Sequence, residues 1–251
     1  MPHVVYKPVS KTPLEIVDQF RHEQNVAAGV PVGYAGRLDP MAEGLLLLLV
    51  GDENKERKTY EAMEKEYEFQ ILFGLETDSY DLMGMITDQN DMVSVGETEL
   101  KQAMVKFVGT WDQSYPPYSS AAVQGKPLYW WTRQGRLSEI EIPKKSVTVS
   151  RLELKKLYPI SNHDVAAEAI KKIQNVHGDF RQDEIIKQYE LVIERQSQQR
   201  YLLANCRIVC SSGTYVRGLA HALGRALNTP ALAYSIRRTR VGSFTLSDVN
   251  G

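Results

Sequence analysis

The stretch "GYAGRLDPMAEGLLLLLV", residues 33–50, changes character in its middle. Five leucines and a valine run without a period of 2 or 3.6 and stop at Gly51. So short an apolar run between glycines suits a central strand buried on both faces. The half before it sets Asp39 between Leu38 and Pro40, with Gly36 and Gly44 on either side. Aspartate before proline is a common turn opener. A tight turn ahead of a buried strand is also a rigid mount for a carboxylate, so local pattern leaves both readings of Asp39 open.

Outward from this strand, "VVYKP" (4–8) predicts a short strand and "TPLEIVDQFRHEQN" (12–25) a helix with Pro13 in its first turn. Leu14, Ile16, Val17 and Phe20 form the apolar stripe of that helix. "DENKERKTYEAMEKE" (52–66) is charged enough for a surface helix or ribbon, and it leads into "YEFQILFG" (67–74). There Tyr67, Phe69, Ile71 and Phe73 fall on one face of a strand. "ETDSYDLMGMIT" (76–87) reads as a polar loop. "TELKQAMVKFVG" (98–109) reads as an amphipathic helix with Leu100, Met104 and Phe107 in register, stopped by Gly109.

The prolines of "SYPPYSSAAVQG" (114–125) demand extended chain, and "PLYWWTRQG" (127–135) restarts a short helix in which Tyr129, Trp130 and Trp131 read as core packing. "KKSVTVSRLELKKLYPI" (144–160) and "YLLANCRIVCSSG" (201–213) are strands, separated by a polar, helical stretch at 161–199 that looks inserted. "TYVRGLAHALGRALN" (214–228) is a helix with Thr214 or Ser212 as N-cap and Val216, Leu219, Ala220, Leu223 and Leu227 buried. "VGSFTL" (241–246) closes as a strand. Strands and helices mix without βαβ repetition, which predicts an α+β fold with a mixed, mostly antiparallel central sheet flanked by helices and loops.

A chain of 251 residues that is 43% hydrophobic and 24% charged can bury a real core. The leucine run is too short for a membrane span, and "MPHVVYKPVSKTP" lacks the layout of a signal peptide, so a cytoplasmic protein away from membranes is expected. Cys206 and Cys210 lie four apart on one strand face and read as small packing hydrophobes. No GxxxxGK[ST], HExxH or CxxC pattern occurs, so neither metal nor cofactor is expected. The net charge of −1 hides an asymmetry. Between Arg200 and Leu246 stand seven arginines (Arg200, Arg207, Arg217, Arg225, Arg237, Arg238, Arg240) and no Asp, Glu or Lys. That concentration predicts a local anion-binding footprint.

Three groups of segments resemble, in order and spacing, the characteristic blocks of the TruB family of pseudouridine synthases: "GYAGRLDPMAEGLLLLLVGDENK" with "EKEYEF", then "SYPPYSSAAVQGKPLYWWTRQG", then "IVCSSGTYVRGLAHALGRAL…SIRRTRVGSF". The likeness runs from about Tyr6 to Phe244, with 161–199 outside it. It implies the pseudouridine synthase fold, a single catalytic domain over 1–251 with a family-atypical helical insertion at 161–199, and no C-terminal PUA domain. It also implies an isomerase, acting as a monomer without cofactor, that converts a flipped-out uridine of RNA to pseudouridine. The expected target is U55 in the T loop of tRNA.

By the same resemblance Asp39 is the catalytic carboxylate, Tyr67 the tyrosine that stacks on the target base near its C5 proton, and Arg217 the arginine paired with the carboxylate. Tyr67 also fits a core tyrosine. Arg217 alone fits a phosphate contact or a structural ion pair. An opposite charge beside Asp39 favours its ionised form. Flipping a base costs a few kcal/mol, which stacking and phosphate contacts must offset. The expected RNA-binding set is Tyr34, Arg37, Tyr215, Arg237, Arg238 and Arg240.

The chain departs from the family pattern where RNA is gripped: Tyr34 stands in place of a histidine, Ala35 of a threonine, Arg37 of a small residue and Ala122 of a lysine. Retained chemistry with altered RNA recognition follows. The competing readings are a synthase for another structured RNA, a non-catalytic RNA-binding or RNA-folding protein on the same scaffold, and an α+β protein for an unrelated anionic ligand.

Overall fold

A computed structural model describes residues 1–90, 93–194 and 200–249. Strand β1 (His3–Lys7) leads to helix α1 (Pro13–Glu23), β2 (Val32–Ala35) and β3 (Ala42–Val50). After a 3₁₀ turn come α2 (Arg57–Ala62), β4 (Lys65–Phe73), the small ribbon β5 (Leu75–Thr77) and β6 (Ile86–Gln89), α3 (Glu97–Val105) and β7 (Gly109–Ser114). The tiny ribbon β8 (Ala122–Val123) and β9 (Lys126–Pro127) and helix α4 (Leu128–Arg133) precede β10 (Lys144–Ser161). A hairpin of α5 (Asn162–Gln174) and α6 (Gln182–Glu194) follows, then β11 (Arg200–Cys210), α7 (Val216–Ala226), β12 (Ala231–Val241) and β13 (Phe244–Thr245).

The fold is α+β around a nine-stranded sheet of order β1-β3-β12-β4-β11-β10-β7, with β2 also on β3 and β13 on β12. Every pairing in it is antiparallel except that of β12 with β3. Residues 45–49 are all fully buried, as a double-faced strand requires. Leu46 and Leu48 pack on Ile16, Val17 and Phe20 of α1, while Leu45, Leu47 and Leu49 meet Val4, Ala35 and Val241 on the other face. The inward face of β4, from Tyr67 to Phe73, joins Cys206, Cys210 and the α7 stripe in the main core.

The helical stretch after β10 is present as the α5–α6 hairpin, and residues 195–199 lie outside the described residues. Val165, Ala169, Ile173, Ile185, Tyr189 and Val192 form the buried face of this hairpin, packed on Leu72, Leu203, Leu232 and Tyr234 of the sheet.

Three local expectations are corrected. Leu14 is 63% exposed, because the side of α1 that meets β3 carries Pro13, Ile16, Val17 and Phe20. Of the aromatic trio, only Trp131 is buried, and Tyr129 is exposed. Helix α7 is capped at Tyr215 rather than by Thr214 or Ser212. The side chain of buried Gln113 on β7 does the capping, accepting from Tyr215 N at 2.8 Å and donating to Tyr215 O at 2.9 Å.

The arginine-rich segment is corrected most. Its acids are supplied by the neighbouring strand and the turn before it: Glu66 pairs with Arg207 at 2.8 Å, Glu64 with Arg240 at 2.8 Å and Glu68 with Arg237 at 3.9 Å. Antiparallel pairing of β4 with β11 and β12 brings these charges together, so three of the seven arginines of the linear sequence are met by acids across the sheet. Arg238 is no surface residue, with 1% of it exposed. It donates to Leu45 O at 2.8 Å, Gly36 O at 3.1 Å and Arg37 O at 3.5 Å, tying the Asp39 loop to β12. Gly44 allows this crossing, since a Cβ there would stand 2.3 Å from Arg238 O, and its φ is +110°.

Two stability measurements follow. In urea unfolding, Leu47→Ala should cost about 2–5 kcal/mol and Leu14→Ala within about 0.5 kcal/mol. Arg238→Met should cost at least about 2 kcal/mol by orphaning buried carbonyls. A neutral Arg238→Met would return that side chain to the exposed role expected from the sequence.

Candidate active site

Asp39 sits in the turn between β2 and β3, where its backbone oxygen accepts from Ala42 N at 3.0 Å and the next carbonyl, Pro40 O, accepts from Ser10 N at 2.8 Å. The turn read from the sequence is therefore real, and it holds the side chain out. Asp39 Oδ2 accepts from Arg217 Nε at 2.7 Å. The Asp39 side chain is 30% exposed and that of Arg217 is 3% exposed, so the carboxylate faces solvent while its partner lies beneath it.

Arg217 enters from the first turn of α7, and every arm of its guanidinium is engaged. Nη1 donates to Ser79 O, Nη2 donates to Tyr118 O at 3.3 Å, and Asp81 Oδ2 lies 3.5 Å from Nε. Burial opposes the charge on Arg217, but Asp39 and Asp81 outweigh it and raise its pKa above the ordinary arginine value. Asp81 is buried, which pushes its carboxyl up, against the pull of Arg217 and the hydroxyl of Ser79 at 2.6 Å.

Asp39 and Arg217 stand where two hollows meet. One, of about 240 Å³, is lined by Tyr67, Lys65, Thr214, Tyr215, Ile236 and Arg238 among others. The other, of about 390 Å³, is lined by Tyr34, Met83, Tyr118, Tyr129, Phe180 and Arg181 among others. Arg37, Leu38, Ser120 and Tyr215 border both. Tyr67 is buried at the start of β4, and burial raises its phenol, so it presents a neutral ring and hydroxyl. Lys65, two residues earlier, is also buried, and desolvation lowers it to about 8.

The expected site residues thus divide. Asp39, Tyr67, Arg217, Tyr215 and the exposed Arg37 converge on one hollow, and Tyr34 lines the adjoining one beneath the Arg57 guanidinium, 5.4 Å from its ring centre. Arg238 reaches the first hollow from within the protein, as a structural brace. Arg237 and Arg240 line neither hollow, and Arg240 is held by Glu64 and Gly242 O.

Asp81, Ser79 and Tyr118 join the site only in the structure. In "ETDSYDLMG" the two aspartates have no basic residue nearby in the chain, and the arginines after residue 200 have no acid nearby. That double imbalance was the available signal.

Residues 25–173 match the family model described as "TruB family pseudouridylate synthase (N terminal domain)". The "tRNA pseudouridine synthase B" of Opitutus terrae is 30% identical over 245 residues, covering 98% of this chain and 82% of that protein. The protein of the same name from Bordetella avium is 32% identical over 216 residues, covering 85% and 70%. Among solved structures, a chain of a Cbf5-Nop10-Gar1 complex superimposes over 96% of this chain with a TM-score of 0.57 at 20% identity, a likeness of fold. This chain spans about half (49%) of that one. Family match and relatives together run along nearly all of the sequence that builds the Asp39 hollow, and the chain belongs to the TruB family of pseudouridylate synthases.

Proposed function

We propose that Asp39 is the reacting carboxylate of an RNA uridine isomerase, and that a flipped-out uridine enters the hollow between Asp39 and Tyr67. The observation that carries the reading is the pairing of a partly exposed carboxylate with an arginine whose own side chain is buried and fully engaged. A purely structural ion pair has no need to leave its carboxylate at the junction of two hollows. The isomerisation breaks the C1′–N1 bond, turns the freed uracil, joins C5 to C1′, gives up the C5 proton and takes up one proton at N1. Atoms and electrons then balance within the nucleoside, so the protein has to supply position and a reacting carboxylate but no co-reactant.

Each side chain then has a part. Arg217 aims Asp39 by a fixed hydrogen bond and balances its charge, while each of its two terminal nitrogens donates to a backbone carbonyl. Tyr67 supplies a flat, neutral ring against the base. Arg37 and Tyr34 stand at the mouth, where the flanking RNA would pass, the arginine toward phosphate and the tyrosine toward a base. The names of the Opitutus terrae and Bordetella avium relatives favour tRNA as the substrate, and the T-loop uridine at position 55 is the target we put forward. A tRNA substrate puts the work in the cytoplasm.

Incubation of purified protein with tRNA transcripts, followed by mapping of pseudouridine, tests the reading. Asp39→Asn should lower the single-turnover rate more than about a thousandfold while shifting RNA affinity by less than about threefold. Modification surviving in Asp39→Asn would remove Asp39 from its role. Tight binding by the unaltered protein without isomerisation of any RNA would favour an RNA-binding protein on this scaffold.

Arg217→Lys keeps the charge but lacks the planar fork that holds Asp39 and two carbonyls at once, so its rate should fall about 10- to 100-fold with affinity retained. A pure loss of affinity would make Arg217 a phosphate contact.

A further inference from the structure

The α5–α6 hairpin does more than cover the sheet. Its connecting loop returns to the active-site side, where Asp179, Phe180 and Arg181 line the larger hollow together with Asp39, Tyr118 and Arg217. Arg181 is held in the left-handed region, at φ +63°, a conformation an arginine keeps only when its surroundings dictate it. Its guanidinium spans both oxygens of Asp78, Nη1 to Oδ2 at 2.8 Å and Nη2 to Oδ1 at 3.1 Å, and lies 4.5 Å from the ring centre of Tyr118. Beside it Asp179 pairs with Arg133 of α4 at 2.5 Å. The loop therefore clasps two separate segments, 78–81 and 117–133.

Those segments are the ones that hold Arg217. Ser79 O, next in the chain to Asp78, accepts from Arg217 Nη1, and Tyr118 O accepts from Nη2 at 3.3 Å. One arginine of the hairpin thus grips both neighbours of the arginine that grips Asp39.

We infer that Arg181 is a positioning residue for the reaction: by joining Asp78 to Tyr118 it fixes the two carbonyls that orient Arg217, and through Arg217 it aims Asp39. The inference rests on the reading of Asp39 as the reacting carboxylate. It gives the hairpin a part in the reaction without direct contact with the uridine. The bidentate geometry makes arginine specifically suited, since lysine could reach one oxygen of Asp78 but could neither bridge both nor lie flat on Tyr118.

The test uses the full chain with R181A, R181K and D78N, the last neutralising the opposite side of the clasp, where Asp78 also accepts from Met85 N at 2.9 Å and from the Tyr118 hydroxyl at 3.4 Å. Single-turnover pseudouridine formation on tRNA transcript is measured with RNA Kd, and the ¹⁵N-detected Nε–H of Arg217, identified by its loss in R217K, is followed in parallel. R181A and D78N should each slow the single-turnover rate about tenfold or more with Kd within about threefold, R181K should recover part of the loss, and the Arg217 Nε–H signal should shift or broaden. The double variant R181A/D78N should be no slower than the worse single. Rates within twofold of the unaltered protein and an unchanged Arg217 signal would overturn the inference, and weaker RNA binding at an unchanged rate would make Arg181 an RNA contact instead. If the unaltered protein isomerises no uridine, the functional reading fails, and the Arg217 signal in R181A and D78N by itself decides whether Arg181 positions Arg217.

Discussion

The structure is organised around one buried cation. Arg217 is 3% exposed, and an unpaired charge at that depth would be strongly destabilising. The fold meets the cost from four directions: Asp39 in the turn before β3, Asp81 and the Ser79 carbonyl after β5, and the Tyr118 carbonyl after β7. Each is a loop residue, and each loop is held by an element packed into the core. Satisfying the arginine therefore draws three loops onto the N-terminus of α7, and the place where they meet is the hollow. Asp39 differs from Asp81, the other carboxylate beside the arginine, in being 30% rather than 7% exposed.

A second buried arginine does similar work one layer below. Arg238, on β12, binds the carbonyls of Gly36, Arg37 and Leu45, on either side of Asp39. Asp39 is thus fixed through its side chain by Arg217 and through its flanking backbone by Arg238. The β12–β3 pairing, in which Arg238 stands opposite Gly44, places the arginine there. Both arginines come from the acid-free segment after Arg200, so what looks along the chain like a basic surface serves in good part as internal bracing.

Much of this was legible in the order of residues. The unbroken leucines of 45–49 specify a strand covered on both sides, and the alternation from Tyr67 to Phe73 specifies one inward face. The α7 stripe and the helical hairpin after β10 follow from periodicity. Asp39, Tyr67 and Arg217 stand out through the resemblance of their segments to the family blocks, and the structure brings them together. Charge was read less well. Arg238 and Arg240 carry no sign in their own neighbourhood of whether they face water, because their partners, carbonyls at 36–45 and Glu64, lie far away in the chain. The cap of α7 is equally invisible in the local sequence, since Gln113 is 102 residues from Tyr215.

By itself the sequence determined the elements and the two-faced burial of β3. These depend on period and turn chemistry that act within a few residues, and any chain with that pattern carries them. Only the tertiary structure decided which charges are neutralised, which arginines are braces, and that Arg181 at the tip of the hairpin clasps the neighbours of Arg217. Those outcomes join residues 178, 138 and 103 apart, and pairings at such separations are set by sheet register and loop docking rather than by local pattern.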